Sequence, residues 1–383
     1  MTRRLAILTE IISPYRIPLF NALARHAGVN LHVIFLAETD PSLRQWRVYR
    51  EEMKFSYQVL PSWRKQVGGQ NILLNRGVGR ALTAFAPDTI LCGGYNYVAF
   101  WQALLWARVH NIPFLLWSES HLHELRRVRP PVEFLKGEFL HKCSGFVVPG
   151  QSAREYLHAY KIKNEVIFTA PNAVDNELFT AAGADARKNA ATRRKELDLP
   201  NRYLLFTGRL VREKGVFELL SAYAKLDEHV RQRVGLVFAG DGVSRGQLEE
   251  QAASISPGVI RFAGFIHREQ LAAYYALAEM LVLPTYTDTW GLVVNEAMAC
   301  GLPVILSRAA GCAVDLLKEN WNGLLIPPRD VLSLASAMHS LASHPDRCVT
   351  MGAHSAQHIA NYSPEEWSVG IAQAIGITGG ASD

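Results

Sequence analysis

Short, almost wholly apolar runs alternate along the chain with longer segments in which apolar residues recur every three or four positions. The apolar runs are typical of strands buried on both faces, and the longer segments are typical of the helices that cover them. This alternation predicts parallel α/β sheets. The strands predicted in the first half are Leu5–Thr9, Leu31–Leu36, Ser56–Leu60, Thr89–Cys92, Phe114–Trp117, Phe146–Val148 and Val166–Thr169.

The same alternation starts again after residue 200, which predicts a second doubly wound domain and a cleft between the two. The polar stretch from Ala181 to Asp198, in which a short exposed helix is expected, is the predicted linker. The predicted domains are residues 1–172 and 173–361, and a C-terminal helix at about residues 362–383 is expected to pack back on the first domain. The strands predicted in the second half are Tyr203–Thr207, Gly235–Ala239, Val259–Phe262, Met280–Leu283, Pro303–Leu306 and Gly323–Ile326.

Composition narrows the class of protein. With 383 residues, of which 49% are hydrophobic, the chain is long enough for two ordinary globular domains and is not a disordered protein. Its five cysteines include no Cys-x-x-Cys pair, so we expect neither a disulfide framework nor a zinc site, but a reducing, cytoplasmic environment. The stretch Tyr97–Trp117 is interrupted by polar residues and a proline, and it predicts a helix and a strand rather than a membrane span.

The net charge of +5 conceals an asymmetry between the two halves. Residues 1–172 carry 21 Lys and Arg against 12 Asp and Glu, a balance of +9, whereas residues 173–383 carry 19 against 23, a balance of −4. A basic half indicates an anionic partner, and nucleic acid, an acidic lipid surface and a pyrophosphate-bearing acceptor all fit that description.

The segment Gly208–Gly215 follows a predicted strand and precedes a predicted helix. Free N–H groups and the helix dipole meet at such a place, and Arg209 and Lys214 add positive charge. Gly208 and Gly215 let the backbone approach a ligand closely. The segment therefore predicts a phosphate site, although a solvated basic loop has the same composition.

Two acids, Asp288 and Glu296, are eight residues apart around the start of another predicted helix. The backbone N–H groups of Trp290, Gly291 and Leu292 lie between them. One ligand could contact all of these groups, with the acids accepting from hydroxyl groups and the N–H groups donating to phosphate. A helix-start acid that only pairs with the helix dipole would explain Asp288 alone.

The string Asp288–Val304, together with Gly208–Gly215, resembles the nucleotide-sugar site of the family 4 retaining glycosyltransferases, which have the GT-B fold of two Rossmann-like domains. The family string resembles E-x-F-G-x-x-x-x-E-A-x-A-x-G-x-P-V, and this chain has DTWGLVVNEAMACGLPV. The resemblance extends to Gly240-Asp241-Gly242, to Phe262–Ile266 and to Pro14–Asn21.

The resemblance implies a role for each matching residue. Arg209, Lys214 and Gly208 would hold the donor diphosphate, and Glu296 would hold the ribose hydroxyls. Asp288 would take the place of the first family Glu, near the donor sugar. The remaining implied contacts are the base, at Phe265 and Ile266; the sugar and β-phosphate, at the backbone of Trp290, Gly291 and Leu292; and the acceptor side, at Tyr15 and Arg16.

Three features depart from the family pattern. Asp288 is one methylene shorter than the family Glu, and Ile12–Tyr15 stands where many relatives have a Gly-Gly turn. Where many relatives have His-Asp after the fifth strand, this chain has Ser118–His123, in which Glu119, His121 and His123 are candidates to contact the sugar or orient the acceptor. We expect Asp288, Glu119 and His121 to be the catalytic candidates.

The expected reaction is a metal-independent transfer from a UDP- or GDP-sugar to a saccharide or lipid-linked acceptor, with no cofactor, in the synthesis of a bacterial polysaccharide or glycolipid. No Asp-x-Asp sequence is present, and Arg209 and Lys214 can take the place of a metal. We expect the acceptor to bind the basic first domain. We also expect this domain to dock peripherally on the inner face of an anionic membrane. The residues predicted to face that membrane are Arg44, Trp46, Arg47, Arg50, Trp63, Arg64, Lys65, Arg126, Arg127 and Arg129.

Other functions remain open at this point. A catalytically weak GT-B protein that binds a nucleotide sugar as a regulatory or partner subunit would also carry these residues, with Asp288 as the altered position. A phosphorylase would need a pyridoxal lysine site, and an epimerase lacks the acid pair eight residues apart. A nucleic-acid-binding protein is disfavoured because no known module is present.

Overall fold

The computed structural model describes residues 2–40, 47–67, 70–122 and 130–376, without the side chains of residues 66, 67, 70 and 71. The described chain forms two compact units. One contains the residues up to Val174 and the segment that begins at Ser363, and the other contains Asp175–Tyr362. The domain boundaries predicted at residues 173 and 362 lie close to these observed boundaries.

The strands are β1 (Arg3–Thr9), β2 (Val29–Phe35), β3 (Ser56–Val59), β4 (Ser62–Val67), β5 (Gln70–Asn75), β6 (Thr89–Cys92), β7 (Phe114–Trp117), β8 (Gly145–Val148), β9 (Ile167–Thr169), β10 (Tyr203–Thr207), β11 (Gly235–Ala239), β12 (Ile260–Gly264), β13 (Met280–Leu283), β14 (Val304–Ser307) and β15 (Gly323–Ile326).

The helices are α1 (Ile17–Arg25), α2 (Val78–Phe85), α3 (Val98–Val109), α4 (Pro130–Lys142), α5 (Gln151–Ala159), α6 (Asn176–Lys188), α7 (Ala190–Glu196), α8 (Val216–Ala224), α9 (Glu228–Arg231), α10 (Arg245–Ala252), α11 (Arg268–Leu277), α12 (Leu292–Ala299), α13 (Ala313–Leu316), α14 (Val331–Ala342), α15 (Pro345–Ile359) and α16 (Pro364–Ala374).

In the first unit the described strands form a parallel sheet of order β3-β2-β1-β6-β7-β8-β9, with an antiparallel hairpin β4–β5 outside it. Helices α2 to α5 cover one face, where Leu82, Phe100 and Phe139 are buried. Helices α1 and α16 cover the other face. All pairings within the main sheet are parallel, as the alternation of the sequence predicts.

Helix α16 belongs to the first unit although it follows the whole of the second. Its Trp367 is fully buried, with its ring 5.9 Å from that of Phe20 in α1 and 5.2 Å from that of Trp117 in β7. The chain therefore passes between the units twice. The amide of Asn176 holds the two passages together by donating to the carbonyl oxygens of Ile359 and Tyr362, both at 3.1 Å.

The second unit has a parallel sheet of order β12-β11-β10-β13-β14-β15. Strand β10 lies in its middle, β11 and β12 continue the sheet to one side, and β13 to β15 continue it to the other. The strand order thus reverses between β10 and β13. Ligands of doubly wound sheets bind at such a switch point, outside the carboxyl ends of the strands.

All strands predicted from the sequence are present, but the predicted linker is wrong. The stretch Ala181–Asp198 forms most of α6 and α7, and α6 packs on α11 inside the second unit. The buried stripe of α6 is Phe179, Gly183 and Ala186, and two of these three residues are small, so the stripe is weak in the sequence. The hairpin β4–β5 was not predicted, although Gly68-Gly69 between two alternating segments is a standard hairpin signal.

Within the described residues, no helix is both long and apolar enough to cross a bilayer.

Replacing Trp367 with alanine is expected to lower the free energy of unfolding of the first unit by about 3–5 kcal/mol, because a large buried ring is lost between Phe20 and Trp117. Urea unfolding followed by tryptophan fluorescence and circular dichroism measures this change. Val369→Ala is the matched control on α16, since Val369 is 39% exposed. Equal losses for both variants would show that α16 does not anchor through Trp367.

Candidate functional site

The predicted donor-site residues meet at one edge of the second sheet. Strands β12, β11, β10 and β13 are neighbours, and each is followed by a loop that carries a predicted residue or motif. Phe265 follows β12, Gly240-Asp241-Gly242 follows β11, Gly208–Gly215 follows β10, and Asp288 follows β13. The carboxyl ends of the strands thus bring together segments up to 80 residues apart in sequence.

The loops after β10 and β11 are in direct backbone contact. Gly240 has φ +153°, and a Cβ there would lie only 1.8 Å from the carbonyl oxygen of Gly208. The amide of Gly208 donates to the carbonyl of Ala239 at 3.1 Å, and that of Leu210 donates to the carbonyl of Asp241 at 2.9 Å. Only glycine allows this approach, which fixes the path of the loop that carries Arg209.

The far end of the same loop is fastened to the loop after β13. Gly215 is the N-cap of α8 with φ +69°, and a Cβ there would lie 2.1 Å from the carbonyl oxygen of Pro284. The carbonyl of Glu213 accepts from the amide of Tyr286 at 2.8 Å and from the hydroxyl of Thr285 at 3.1 Å. Lys214, in the turn Arg212–Lys214, is therefore held beside the Asp288 segment.

The two predicted phosphate-binding cations differ in exposure and in ion pairing. Arg209 is exposed and makes no ion pair with any residue that the structure describes. Lys214 is mostly buried and its Nζ forms an ion pair with Oδ2 of Asp288, whose side chain is only 15% exposed. The structure thus brings Asp288 and Lys214 together, which spacing alone did not predict.

Asp288 is fixed by its backbone as well. Its amide donates to the carbonyl of Ala309 at 3.3 Å, and its carbonyl accepts from the amide of Gly311 at 2.9 Å. The helix α12 begins four residues later, with Gly291 as its N-cap and no side-chain cap. The N–H of Val294 donates to the carbonyl of Gly291 at 2.9 Å, so the first-turn N–H groups available to an anionic group are those of Leu292 and Val293.

Trp290 differs from the other residues at this helix start because its side chain is buried. Its indole Nε1 donates to Oδ1 of Asn295 at 2.9 Å, one turn into α12. The indole ring of Trp290 therefore stabilises the turn that precedes α12. What Trp290 offers to a ligand is its backbone, as the resemblance implies, together with that of the half-buried Leu292.

Glu296 lies on the second turn of α12 and is half-buried. The hydroxyl of Tyr275, a fully buried residue of α11, donates to its Oε2 at 2.7 Å. Burial raises the pKa of Glu296 from 4.5 to about 7, and the hydrogen bond from Tyr275 opposes that rise. Tyr275 was missed by sequence reasoning because it lies outside every motif, on a different helix.

The two residues predicted to contact a base follow β12. Phe265 is 39% exposed, and its ring packs edge-to-face on that of His267 with the centroids 5.1 Å apart. Ile266 is half-buried. A partly exposed aromatic ring next to the Gly240 segment offers an apolar surface at the same sheet edge.

In the first unit, Arg16 is the centre of the predicted acceptor side. Its Nη1 donates to Oγ1 of Thr9 at 2.6 Å, its guanidinium lies 4.4 Å from the ring of Trp117, and its Nη2 is 3.7 Å from Oε2 of Glu119. Tyr15 is half-buried beside it, with its ring centroid 6.0 Å from the same guanidinium. Arg16 and Glu119, at the carboxyl ends of β1 and β7, are thus brought together.

His121, which follows Glu119 closely in sequence, is buried. His121 is only 2% exposed, so its ring is packed inside the unit rather than presented at the surface. Several predicted residues lie outside the described part of the chain: Arg44, Trp46, His123, Arg126, Arg127 and Arg129. Among the described side chains, no group of three or more His, Cys, Asp and Glu residues could hold a metal ion.

Two parallel α/β units, of which the second has a cationic loop bounded by glycines beside a helix start without a side-chain cap, are the features of a GT-B protein. Comparison with known proteins agrees. The pattern described as "Glycosyl transferases group 1" matches residues 188–358, and "Glycosyltransferase Family 4" matches residues 19–178. The chain belongs to the family 4 glycosyltransferases.

Curated relatives are similar over part of their length. A D-inositol 3-phosphate glycosyltransferase of Corynebacterium jeikeium is 32% identical over 56% of this chain and 52% of its own length. One of Nocardiopsis dassonvillei is 29% identical over 79% of this chain and 73% of its own. The chain spans about half the length of the first relatives that it matches.

Solved structures show the same fold at low identity. Anabaena HepE, in complex with UDP and glucose, has a TM-score of 0.76 at 16% identity, with 97% of this chain and 99% of that chain covered. Sucrose-phosphate synthase of Thermosynechococcus elongatus has a TM-score of 0.70 at 21% identity, with 97% and 98% covered. The fold is therefore that of the GT-B glycosyltransferases.

Glu296→Gln is expected to become more stable relative to the wild type as the pH rises. The carboxyl of Glu296 has its pKa raised to about 7 in the folded chain, so its stabilising contribution is present at low pH and is lost as the pH passes through 7. Glutamine stays neutral and still accepts from Tyr275. The difference in unfolding free energy should grow by about 2–3 kcal/mol between about pH 5 and 8.

Urea unfolding at a series of pH values measures this difference. Glu319→Gln, on an exposed carboxylate of the same unit, is the control and should show no growth through pH 7. A difference that stays constant for Glu296→Gln across the range would contradict the raised pKa.

Proposed function

We propose that this chain transfers a sugar from a nucleotide-diphosphate sugar, UDP- or GDP-linked, to a saccharide or lipid-linked acceptor with retention of the anomeric configuration. The observation that carries the proposal is the junction of the Arg209–Lys214 loop with the start of α12. Lys214 lies beside Asp288 there, just before the uncapped start of α12, and Arg209 is exposed on the same loop, which suits a diphosphate leaving group.

The reaction breaks the bond between the anomeric carbon and a β-phosphate oxygen, whose electron pair stays on the diphosphate. A bond forms between the anomeric carbon and the acceptor oxygen, and the proton of the acceptor hydroxyl passes to an oxygen of the departing diphosphate. Negative charge therefore grows on the leaving group. Arg209, Lys214 and the first-turn N–H groups of α12 are proposed to stabilise that charge, with Gly208 giving the phosphates close access to the backbone.

Lys214 needs a change of partner for this role. Its ion pair with Asp288 neutralises it before a donor binds. A diphosphate would share Lys214 with Asp288, and the carboxylate would then be free to accept from a hydroxyl group of the donor sugar. The short side chain of Asp288, compared with the family Glu, favours this close pairing with Lys214.

The other parts of the donor are proposed to contact residues at the same edge of the sheet. Glu296 is proposed to accept from the ribose hydroxyls, and the apolar surface of Phe265 and Ile266 to lie against the base. The backbone of Trp290, Gly291 and Leu292 would contact the sugar and the β-phosphate. UDP is the first choice to test because similar solved structures are complexes with UDP, UDP-glucose and UDP-2-fluoro glucose.

The acceptor is proposed to bind the first unit. Arg16 and Tyr15 offer a cation and an aromatic ring at the end of β1, and Glu119 beside them could accept from an acceptor hydroxyl. The buried His121 would support this group rather than contact the acceptor. An anionic acceptor fits the balance of +9 in residues 1–172, and the relatives named for inositol 3-phosphate act on such a compound.

We further propose that the reaction needs no metal ion or cofactor, that nucleic acid is not a partner, and that the protein works in the cytoplasm on the inner face of an anionic membrane. The cationic pair supplies the charge that a metal would give to a departing diphosphate.

Arg209→Ala and Lys214→Ala are each expected to reduce sugar transfer by about a hundred- to a thousandfold, because each removes a group that stabilises the leaving diphosphate. Product formation from radiolabelled UDP- and GDP-sugars measures this. Arg233→Ala is the matched control, since Arg233 is exposed on the same unit and precedes β11, at the opposite end of that strand from the site.

Binding is tested separately by the melting temperature. A donor at about a hundred times its dissociation constant should stabilise the protein by about 2.7 kcal/mol, and both site variants should lose this gain. Failure of every nucleotide and nucleotide sugar to shift the melting temperature would overturn the proposal. Stabilisation without any turnover would instead favour the regulatory subunit.

Adding EDTA is expected to leave the transfer rate unchanged, because Arg209 and Lys214 neutralise the diphosphate without a metal. The rate is measured before and after exhaustive chelation, with a divalent cation restored in a third sample. A rate that falls in EDTA and returns with the cation would contradict metal independence.

A further inference from the structure

Helix α3 of the first unit is apolar on two sides. Its inner side, which includes Phe100 and Leu104, is buried against the sheet. Its outer side carries Val98, Leu105 and Val109, which are 52%, 65% and 69% exposed. The spacings of seven and four residues place these side chains on one stripe of the helix. A soluble protein rarely leaves such a stripe uncovered.

The elements next to α3 are exposed in the same way. The ring of Trp101 in α3 lies 4.9 Å from that of Phe139 in α4, so the two helices are neighbours. The first two turns of α4 expose Val132, Phe134 and Leu135. The hairpin β4–β5, whose second strand contacts α3, exposes Trp63, Ile72 and Leu74. Apolar exposure thus concentrates around α3.

An open groove of 540 Å³ runs between α3 and the start of α2. Leu105, Trp106 and Val109 line it from α3. The Trp106 ring stacks on His110 with the centroids 4.1 Å apart, and its indole N–H donates to Thr83 at 3.2 Å. A half-buried tryptophan with an apolar body and a polar tip is typical of membrane interfaces.

The charge of this surface is positive. Arg76, Arg80 and Arg108 are exposed on or beside α2 and α3, and none of them forms an ion pair with a described residue. The segments 76–85 and 98–110 contain no Asp or Glu. An apolar stripe on α3, with exposed cations and no acids on α2 and α3, has the two properties that bind a helix to an anionic lipid surface.

We propose that the α2–α3 face is the membrane-docking surface of this protein. The face is defined as Arg76, Arg80, Leu105, Trp106, Arg108 and Val109. The arginines would contact lipid phosphates while the apolar side chains enter the boundary between headgroups and acyl chains. This assignment specifies the anionic membrane of the proposed function and rests on it, and it places the contact on a helix face rather than on the Trp46 and Trp63 segments.

The test is co-sedimentation of the full chain with vesicles of phosphatidylcholine alone or mixed with phosphatidylglycerol. The wild type should bind the mixed vesicles, bind the neutral ones poorly, and detach as salt is raised. Leu105→Gln/Val109→Gln should weaken binding by about tenfold or more, since both side chains would enter the apolar boundary. Replacing the three arginines with glutamine should weaken it by about a hundredfold.

Matched controls come from the second unit. Leu332→Gln/Val349→Gln changes side chains that are 69% and 73% exposed, and Arg233→Gln removes an exposed arginine. These controls should bind vesicles like the wild type. Melting curves with the nucleotide that stabilises the wild type check that every variant is folded and keeps its donor site.

The outcomes separate the surface from the function. If the wild type binds mixed vesicles and the α2–α3 variants bind equally well, the surface assignment is overturned but membrane docking stands. If the wild type binds no vesicles, both fail, whereas the donor reaction is judged by the transfer assay. A change of oligomeric state in the variants without a change in vesicle binding would assign the face to a second copy and also overturn the proposal.

Discussion

The candidate donor site depends on close contacts between the backbones of neighbouring loops. The loops after β10, β11 and β13 approach so closely that Gly240 and Gly215 have no room for a Cβ. A Cβ added at these positions would lie 1.8 Å and 2.1 Å from a backbone carbonyl oxygen of the neighbouring loop. These contacts need no side chain, and they fix both ends of the Arg209–Lys214 segment. The positions of Arg209 and Lys214 are thus set by backbone contacts at the two ends of the loop. A larger residue at either glycine would displace the phosphate-binding segment together with its neighbour.

Much of the architecture could be predicted from the sequence because each core strand is a nearly continuous apolar run. Met280–Leu283 is an example: all four residues are fully buried or nearly so, and the run has the same bounds in the structure. The wrong linker has the opposite cause. In α6 the buried stripe is Phe179, Gly183 and Ala186, of which only Phe179 is a large apolar residue, so the sequence shows a weak helical period.

The candidate site could be predicted in part. The motifs gave residues that follow neighbouring strands, and the parallel sheet brings those residues to one edge. Pairings across elements could not be read from spacing. The ion pair of Lys214 with Asp288 joins residues 74 apart, and the hydrogen bond of Tyr275 with Glu296 joins α11 to α12. Such contacts depend on how helices pack, which the order of residues does not state.

The two passages of the chain between the units make the second unit an insertion within the first. Asp175–Tyr362 enters after β9 and leaves before α16, and Asn176 ties entry to exit. A single cut at either passage would therefore leave both units joined by the other passage. A shortened chain that stops before Ser363 would lose Trp367 from the core of the first unit, although that unit precedes the cut in the chain. For protein engineering, the exchangeable module is the internal segment, with two junctions to preserve.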